Sequence, residues 1–260
     1  MNDRVTISVS GGIADVRLNR PDKMNALDPL MFEGIVDAID RLAAMREVRC
    51  VVLSGEGRAF SAGLDMASMA GGGSGLDIAE RAWGPANKVQ QVSWGWRTLP
   101  MPVIAAVHGV AFGGGFQIMS GADIRVAHPE TRFAIRESHW GLVPDMGGIA
   151  LWRTLARDDV VRELTYTGRE FSAAEAERFG FVTRIADDPL DAAFALAREI
   201  AGRNPHATRG AKRLHNHAAD GDPASILEME TAEQLRVIRT PNQVEQVRAN
   251  MEKRAALFED

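Results

Sequence analysis

Two carboxylic acids stand among apolar neighbours in this chain. Glu137 follows the strand-like Phe133-Ala134-Ile135, and Asp145 follows Pro144, with Trp140 and Met146 nearby. Apolar surroundings penalise an ionised carboxylate and raise its pKa, which suits a group that takes and returns protons. Two glycine-bearing segments can supply a partner for that chemistry. In Phe60-Ser61-Ala62-Gly63-Leu64-Asp65, Gly63 lets the chain turn so that the N–H of Leu64 faces a cleft. Gly109-x-x-x-Gly113-Gly114-Gly115 lies between a strand and a helix, where free backbone N–H groups can meet an anion or an oxyanion. Singly, each carboxylate also reads as a surface or capping group, and each glycine segment as close packing or a loop. The pair of segments points to an oxyanion hole, which needs two donors brought together from separate loops.

Other chemistries find less support. The glycine triplet fits neither the dinucleotide nor the Walker spacing. His108, His128, His139, His206, His215 and His217 lack metal-site spacing, so no metal is expected, although His139 stands close enough to Glu137 to line a site. Ser54, Ser61 and Ser120 lie in no Gly-x-Ser-x-Gly element, which removes the serine-hydrolase reading. Cys50, the single cysteine, lies in an apolar run and reads as a buried structural thiol, with no intrachain disulfide possible.

The elements that must position these groups show in the pattern. Val5 to Val9 and Ile13 to Leu18 alternate about Gly11-Gly12, predicting a β-hairpin. Asp28-Pro29 starts a helix whose Met31, Ile35, Ile39 and Leu42 recur at helical spacing. Val48 to Leu53 and Val103 to Val107 read as strands covered on both faces, and Ile124 to Ala127 as a further strand. Phe116 to Ser120 predicts a short helix after the triplet, so an α/β core is expected. Met69 to Gly75 reads as a mobile wall beside a ligand, and Ile78 to Leu99 as a helix interrupted near Gly84-Pro85. Trp83, Trp94, Trp96 and Trp140 either wall a pocket or pack. Helical patterns dominate from Ala173, punctuated by Pro189, Pro205, Pro223 and Pro241, and a boundary is expected near Gly202. The division is thus 1–202 as an α/β core and 203–260 as a helical region.

Composition narrows the class. The 260 residues are 45% hydrophobic and 25% charged, as in an ordinary globular protein. With 30 basic against 35 acidic residues, the net charge of −5 argues against a nucleic-acid surface. No apolar run reaches the roughly 18 residues of a membrane span, and the first residues lack a signal-peptide pattern, so a cytoplasmic protein is expected.

Ordered motifs along nearly the whole chain sharpen this. Leu18-Asn19-Arg20-Pro21-x-Lys23-x-Asn25-Ala26-Leu27, Gly57-x-Ala59-Phe60-Ser61-Ala62-Gly63-Leu64-Asp65, Ala106-Val107-His108-Gly109-x-Ala111-x-Gly113-Gly114-Gly115, Gly141-Leu142-Val143-Pro144, Ala211-Lys212 and Glu252-Lys253-Arg254 together resemble the crotonase superfamily, the enoyl-CoA hydratase/isomerase family. The resemblance implies a spiral of repeated ββα units with a helical C-terminal trimerisation region, in homotrimers or hexamers. It implies an oxyanion hole for a thioester at the N–H groups of Leu64 and Gly114, and an acyl-CoA substrate that brings its own coenzyme A, with no other cofactor. Substrate and coenzyme A contacts are implied at Lys23, Met24, Ala26, Ala62, Asp65, Met66 and Trp140, and a phosphate contact at Lys253, often across subunits. Hydratases of the family carry a second glutamate where this chain has Gln117, and the usual lysine three residues after Leu64 is Ala67. An amide orients groups but shuttles no proton near neutral pH. Asp145 matches an aspartate of dienoyl-CoA isomerases, so Glu137 and Asp145 are expected to move protons on an enoyl thioester while Gln117 positions substrate or water. The alternative is a non-catalytic or differently reacting acyl-CoA binding protein of the same fold.

Overall fold

The computed structural model describes residues 3–69 and 78–260. The glycine-rich stretch expected to form a mobile wall falls mostly outside the described residues.

The chain opens with the hairpin β1 (Val5–Ser10) and β2 (Ile13–Leu18), paired antiparallel with Ser10 opposite Ile13. Helix α1 (Pro29–Ala44) is capped by Asp28, whose side chain accepts from the Met31 N–H, and it buries Met31, Ile35, Ile39 and Leu42 as its spacing predicts. Strand β3 (Cys50–Gly55) runs parallel to β2, and after α2 (Met66–Met69) and α3 (Lys88–Thr98) comes β4 (Val103–Val107), parallel to β3. The helix expected from Ile78 therefore begins only at Lys88. Pro85 cannot sit inside it, and Asn87 closes a capping box with Gln90 while its amide Nδ2 donates to the Ile78 carbonyl at 2.7 Å.

From β4 onward a repeat emerges. Strand β5 (Val110–Phe112) follows at once and leads into α4 (Gly114–Ser120); β6 (Ile124–Ala127) and β7 (Arg132–Ala134) then lead to a 3-10 turn at Glu137–Trp140, α5 (Gly148–Trp152) and α6 (Asp158–Thr167). In each unit the first strand joins the larger sheet and the second the smaller. With β8 (Glu170–Ser172), α7 (Ala173–Phe179) and β9 (Arg184–Ile185), the sheets run β1-β2-β3-β4-β6-β9 and β5-β7-β8. This is the spiral of ββα units expected from the motifs.

Four helices begin at the four expected prolines: α8 (Pro189–Ala201), α9 (Pro205–Ala218), α10 (Pro223–Val237) and α11 (Pro241–Glu252). Proline at the first turn gives up no helical hydrogen bond. Gly202 caps α8, which lies against β3 and β4, and α9 starts three residues later. Lys212 on α9 ties this region to the core. Its ammonium is buried and donates to the carbonyls of Trp96 (3.0 Å) and Met101 (2.9 Å) and to Asp123 at 2.8 Å.

Core packing claims several residues that resembled site candidates. Trp96 is fully buried, its indole N–H donating to the Val92 carbonyl at 2.8 Å, and Trp83 and Trp94 pack against the same core. Cys50 is buried, and burial pushes its thiol up to about 12. Among the described residues no helix is long and apolar enough to cross a membrane, and no cluster of His, Cys, Asp and Glu is arranged for a metal ion.

Candidate active site

The two glycine segments meet. Ser61 pairs with Ala111 as an isolated parallel bridge, the Ser61 N–H donating to the Val110 carbonyl and the Phe112 N–H to the Ser61 carbonyl, both at 3.1 Å. Leu64 pairs likewise with Leu27, its neighbours bonding through Leu27 N–H to Gly63 O (2.8 Å) and Asp65 N–H to Leu27 O (3.0 Å). Gly63 has φ +86°, and a Cβ there would lie 2.6 Å from the Phe112 carbonyl oxygen and 3.5 Å from the Gly114 nitrogen. Only glycine lets the loops approach this closely. Gly114 opens α4, so its N–H has no partner within the helix, and the helix dipole adds partial positive charge there. Among the described residues neither that N–H nor the Leu64 N–H has a hydrogen-bond acceptor.

Both donors border a cavity of about 510 Å³, and Glu137 and Asp145 stand on its wall with Ala62, Met66, His139 and Trp140. Apolar lining comes also from Phe32, Ile78, Val89, Phe112, Leu142 and Met146. Glu137 begins the 3-10 turn after β7 and is 8% exposed. Its Oε1 accepts from the Gln117 amide at 2.5 Å, and its Oε2 is buried with no partner. Burial raises its pKa above the ordinary glutamate value, and the negative charge of Asp145 adds to the rise. Asp145 remains exposed at the cavity mouth, although partial burial of its carboxyl pushes its pKa up as well.

Gln117 differs from its expected place. It is fully buried one turn into α4, does not border the cavity, and spends its carbonyl oxygen on the N–H groups of Met146 (3.1 Å) and Gly148 (2.9 Å). It therefore contacts Glu137 and the loop after Asp145 and not the cavity.

The expected coenzyme A contacts divide into two groups. Ala62, Met66 and Trp140 border the cavity, whereas Lys23, Met24 and Ala26 form a turn on its flank, the Ala62 N–H donating to the Met24 carbonyl at 2.8 Å. Met24 and Asn25 adopt positive φ, and buried Asn25 holds the turn by donating to the carbonyls of Glu56 and Ala59, both at 2.9 Å. Asp65 stands off the cavity. Arg20 donates to it at 2.7 Å, the guanidinium holding its carboxyl down at about 2, and the same Arg20 donates to the Ala26 carbonyl at 3.1 Å. Asp65 thus joins the two loops. Arg20 is the residue that sequence reasoning misses, although its place in the Leu18–Leu27 motif is a visible signal. Lys253 caps α11 with φ 54°, is exposed, and does not border the cavity.

A family model described as enoyl-CoA hydratase/isomerase matches residues 8–260. The chain belongs to that family. Within it, the mitochondrial Delta(3,5)-Delta(2,4)-dienoyl-CoA isomerase of Mus musculus is 33% identical over 252 residues, spanning 93% of this chain and 77% of the relative. An enoyl-CoA hydratase of Mycobacterium tuberculosis is 33% identical over 250 residues, spanning 94% and 92%. The crystal structure of enoyl-CoA hydratase from Bacillus anthracis superposes with a TM-score of 0.87 at 27% identity, covering 98% of this chain and 99% of that one. The protein is accordingly an enzyme of the hydratase/isomerase kind with the crotonase fold, and an acyl-CoA substrate fits this membership.

Proposed function

We propose that this enzyme relocates a double bond in an enoyl- or dienoyl-CoA. The thioester oxygen accepts from the N–H groups of Leu64 and Gly114, and charge gathered there acidifies the neighbouring carbon. Glu137 takes a proton through its free Oε2, and Asp145 returns one further along the acyl chain. The observation that carries this reading is the composition of one cavity wall: Glu137, Asp145, Leu64 and Gly114 share it, while the second carboxylate that hydration would use is replaced by Gln117, turned away onto Glu137. The likeness to dienoyl-CoA isomerases supports the same choice. Coenzyme A arrives with the substrate, so the chemistry calls for no further cofactor.

We further propose a cytoplasmic homotrimer or hexamer assembled through residues 203–260. Leu227, Leu235, Val244 and Met251 are 61%, 71%, 55% and 80% exposed on α10 and α11, an apolar display that a neighbouring copy would cover. Lys253, remote from its own cavity, would then reach a neighbour's coenzyme A phosphate. Incubation with enoyl-CoA and dienoyl-CoA substrates in deuterated water tests the chemistry, with Glu137→Gln and Asp145→Asn as controls. A shifted double bond with deuterium incorporation, lost in both variants, is expected. Full activity in both variants, or rapid hydration of crotonyl-CoA by the parent, would reject the isomerase reading.

A further inference from the structure

Gln117 is a single neutral side chain that touches three parts of the site. It stands three residues after Gly114 on the helix that begins beside the cavity, its Nε2 donates to Glu137 at 2.5 Å, and its Oε1 accepts from the N–H groups of Met146 and Gly148, just after Asp145. An amide oxygen has two lone pairs, and both are used. The space around the bridge is closed: a Cβ on Gly148 would lie 2.7 Å from the Gln117 oxygen and 2.6 Å from the Trp152 ring.

We infer that Gln117 is a positioning residue that pins Oε1 of Glu137, leaves Oε2 as the one oxygen able to take a proton, and fixes the Asp145 loop in register with it. The inference rests on the isomerase reading for its kinetic consequence, and on geometry alone for the bridge. A glutamine suits this task better than an ionised glutamate, because an ionised carboxylate cannot donate to a second carboxylate. The charged and titratable groups around Glu137 are Asp145, Arg136 and His139 on the cavity wall, with Arg136 already paired to Glu170. None of these takes the place of the amide donor at Oε1.

The decisive comparison is between Gln117→Leu and Gln117→Glu. Leucine keeps the volume and removes the bridge, so kcat should fall on the order of 10²-fold, as for a small displacement of a reacting group, with KM held within about threefold. The carboxyl introduced by Gln117→Glu is nearly isosteric with the amide, and with one proton shared between it and Glu137 it restores both donor and acceptor. Gln117→Glu should therefore work only where the pair holds one proton, losing activity both as a second proton arrives and as the shared proton leaves, so its alkaline limb is displaced from the parent's. A parent-like kcat in Gln117→Leu, a superimposable pH profile in Gln117→Glu, or a gain of crotonyl-CoA hydration in Gln117→Glu would overturn the inference. Titration of the free protein labelled with ¹³C at glutamate carboxyls separates this from the functional reading. The Glu137 resonance, identified by its absence in Glu137→Gln, should titrate higher in Gln117→Leu than in the parent whether or not any substrate turns over. An unmoved titration overturns the bridge, whereas a moved titration without turnover in the parent overturns only the isomerase reading.

Discussion

Replacing Gly63 by alanine tests the proposed oxyanion hole without touching an acid. The new methyl would sit 2.6 Å from the Phe112 carbonyl oxygen, a backbone atom fixed by the Ser61–Ala111 pairing, so no flexible side chain can yield. The residue would also keep φ +86°, which costs an L-amino acid about 1–2 kcal/mol. Relief requires the two loops to part, and the Leu64 N–H then leaves the position that the developing oxyanion occupies. Loss of one such donor costs about 3 kcal/mol of transition-state stabilisation, on the order of 10²-fold in kcat. Substrate binding distributed over the remaining cavity should change far less, and the melting temperature should fall by several degrees, as expected for about 1–2 kcal/mol. Proton exchange at the α-carbon of an acyl-CoA in deuterated water measures the effect at the step where the oxyanion forms. Exchange within about threefold of the parent in a folded Gly63→Ala protein would refute the reasoning, because convergence of the loops would then not set the donor.

Other outcomes concern Glu137, Lys212 and Cys50. Glu137 must be ionised to accept a proton, and its folded pKa is raised, so kcat/KM should collapse as pH falls through a limb placed above the ordinary glutamate range; a limb at or below that range would contradict the burial argument. Glu137→Gln should lose on the order of 10²- to 10⁴-fold in activity. It should also gain stability at neutral pH, since ionising a group whose folded pKa is raised lowers stability once pH exceeds the unfolded value, and calorimetry at several pH values checks the sign. Lys212→Met should destabilise the fold by about 3 kcal/mol in denaturant unfolding, as it removes the cation from Asp123 and the donor from two carbonyls, while the half-open setting of Asp123 and its bond from the Val103 N–H keep the loss at the low end for a buried pair. Cys50, buried with its thiol pushed up to about 12, should resist thiol reagents in the native protein and react only after unfolding.

The readability of this chain follows from where its information is local. Proline after an aspartate, asparagine or threonine cap announces α1, α8, α9, α10 and α11, because cap and first turn are satisfied within a few residues. Apolar runs announce β3 and β4 because both faces are covered. The start of α3 is harder to read, since helical spacing continues through Ile78 to Asn87 and the capping box that ends the ambiguity depends on a single side-chain geometry. Strand β8 has three residues and gains meaning only by pairing with β7 across two intervening helices, as Arg132 opposite Ser172 shows. The turn at Gly63 and the helix start at Gly114 are legible because backbone conformation makes them. Side-chain partners are less legible: Gln117 faces Glu137, Asp65 faces Arg20, and Trp96 faces the core.

The backbone origin of the two donors gives the site an asymmetry under mutation. No substitution at position 64 or 114 other than proline can delete the N–H, so the proposed enolate-stabilising half of the chemistry is insulated from the chemical identity of the side chain at either position. The proposed acid–base half is carried by separable side chains at 137 and 145, with the one at 117 positioning them. A designer could therefore rewrite which carbon gains or loses a proton by exchanging those three residues, keeping the hole as a fixed chassis for any thioester that the cavity admits.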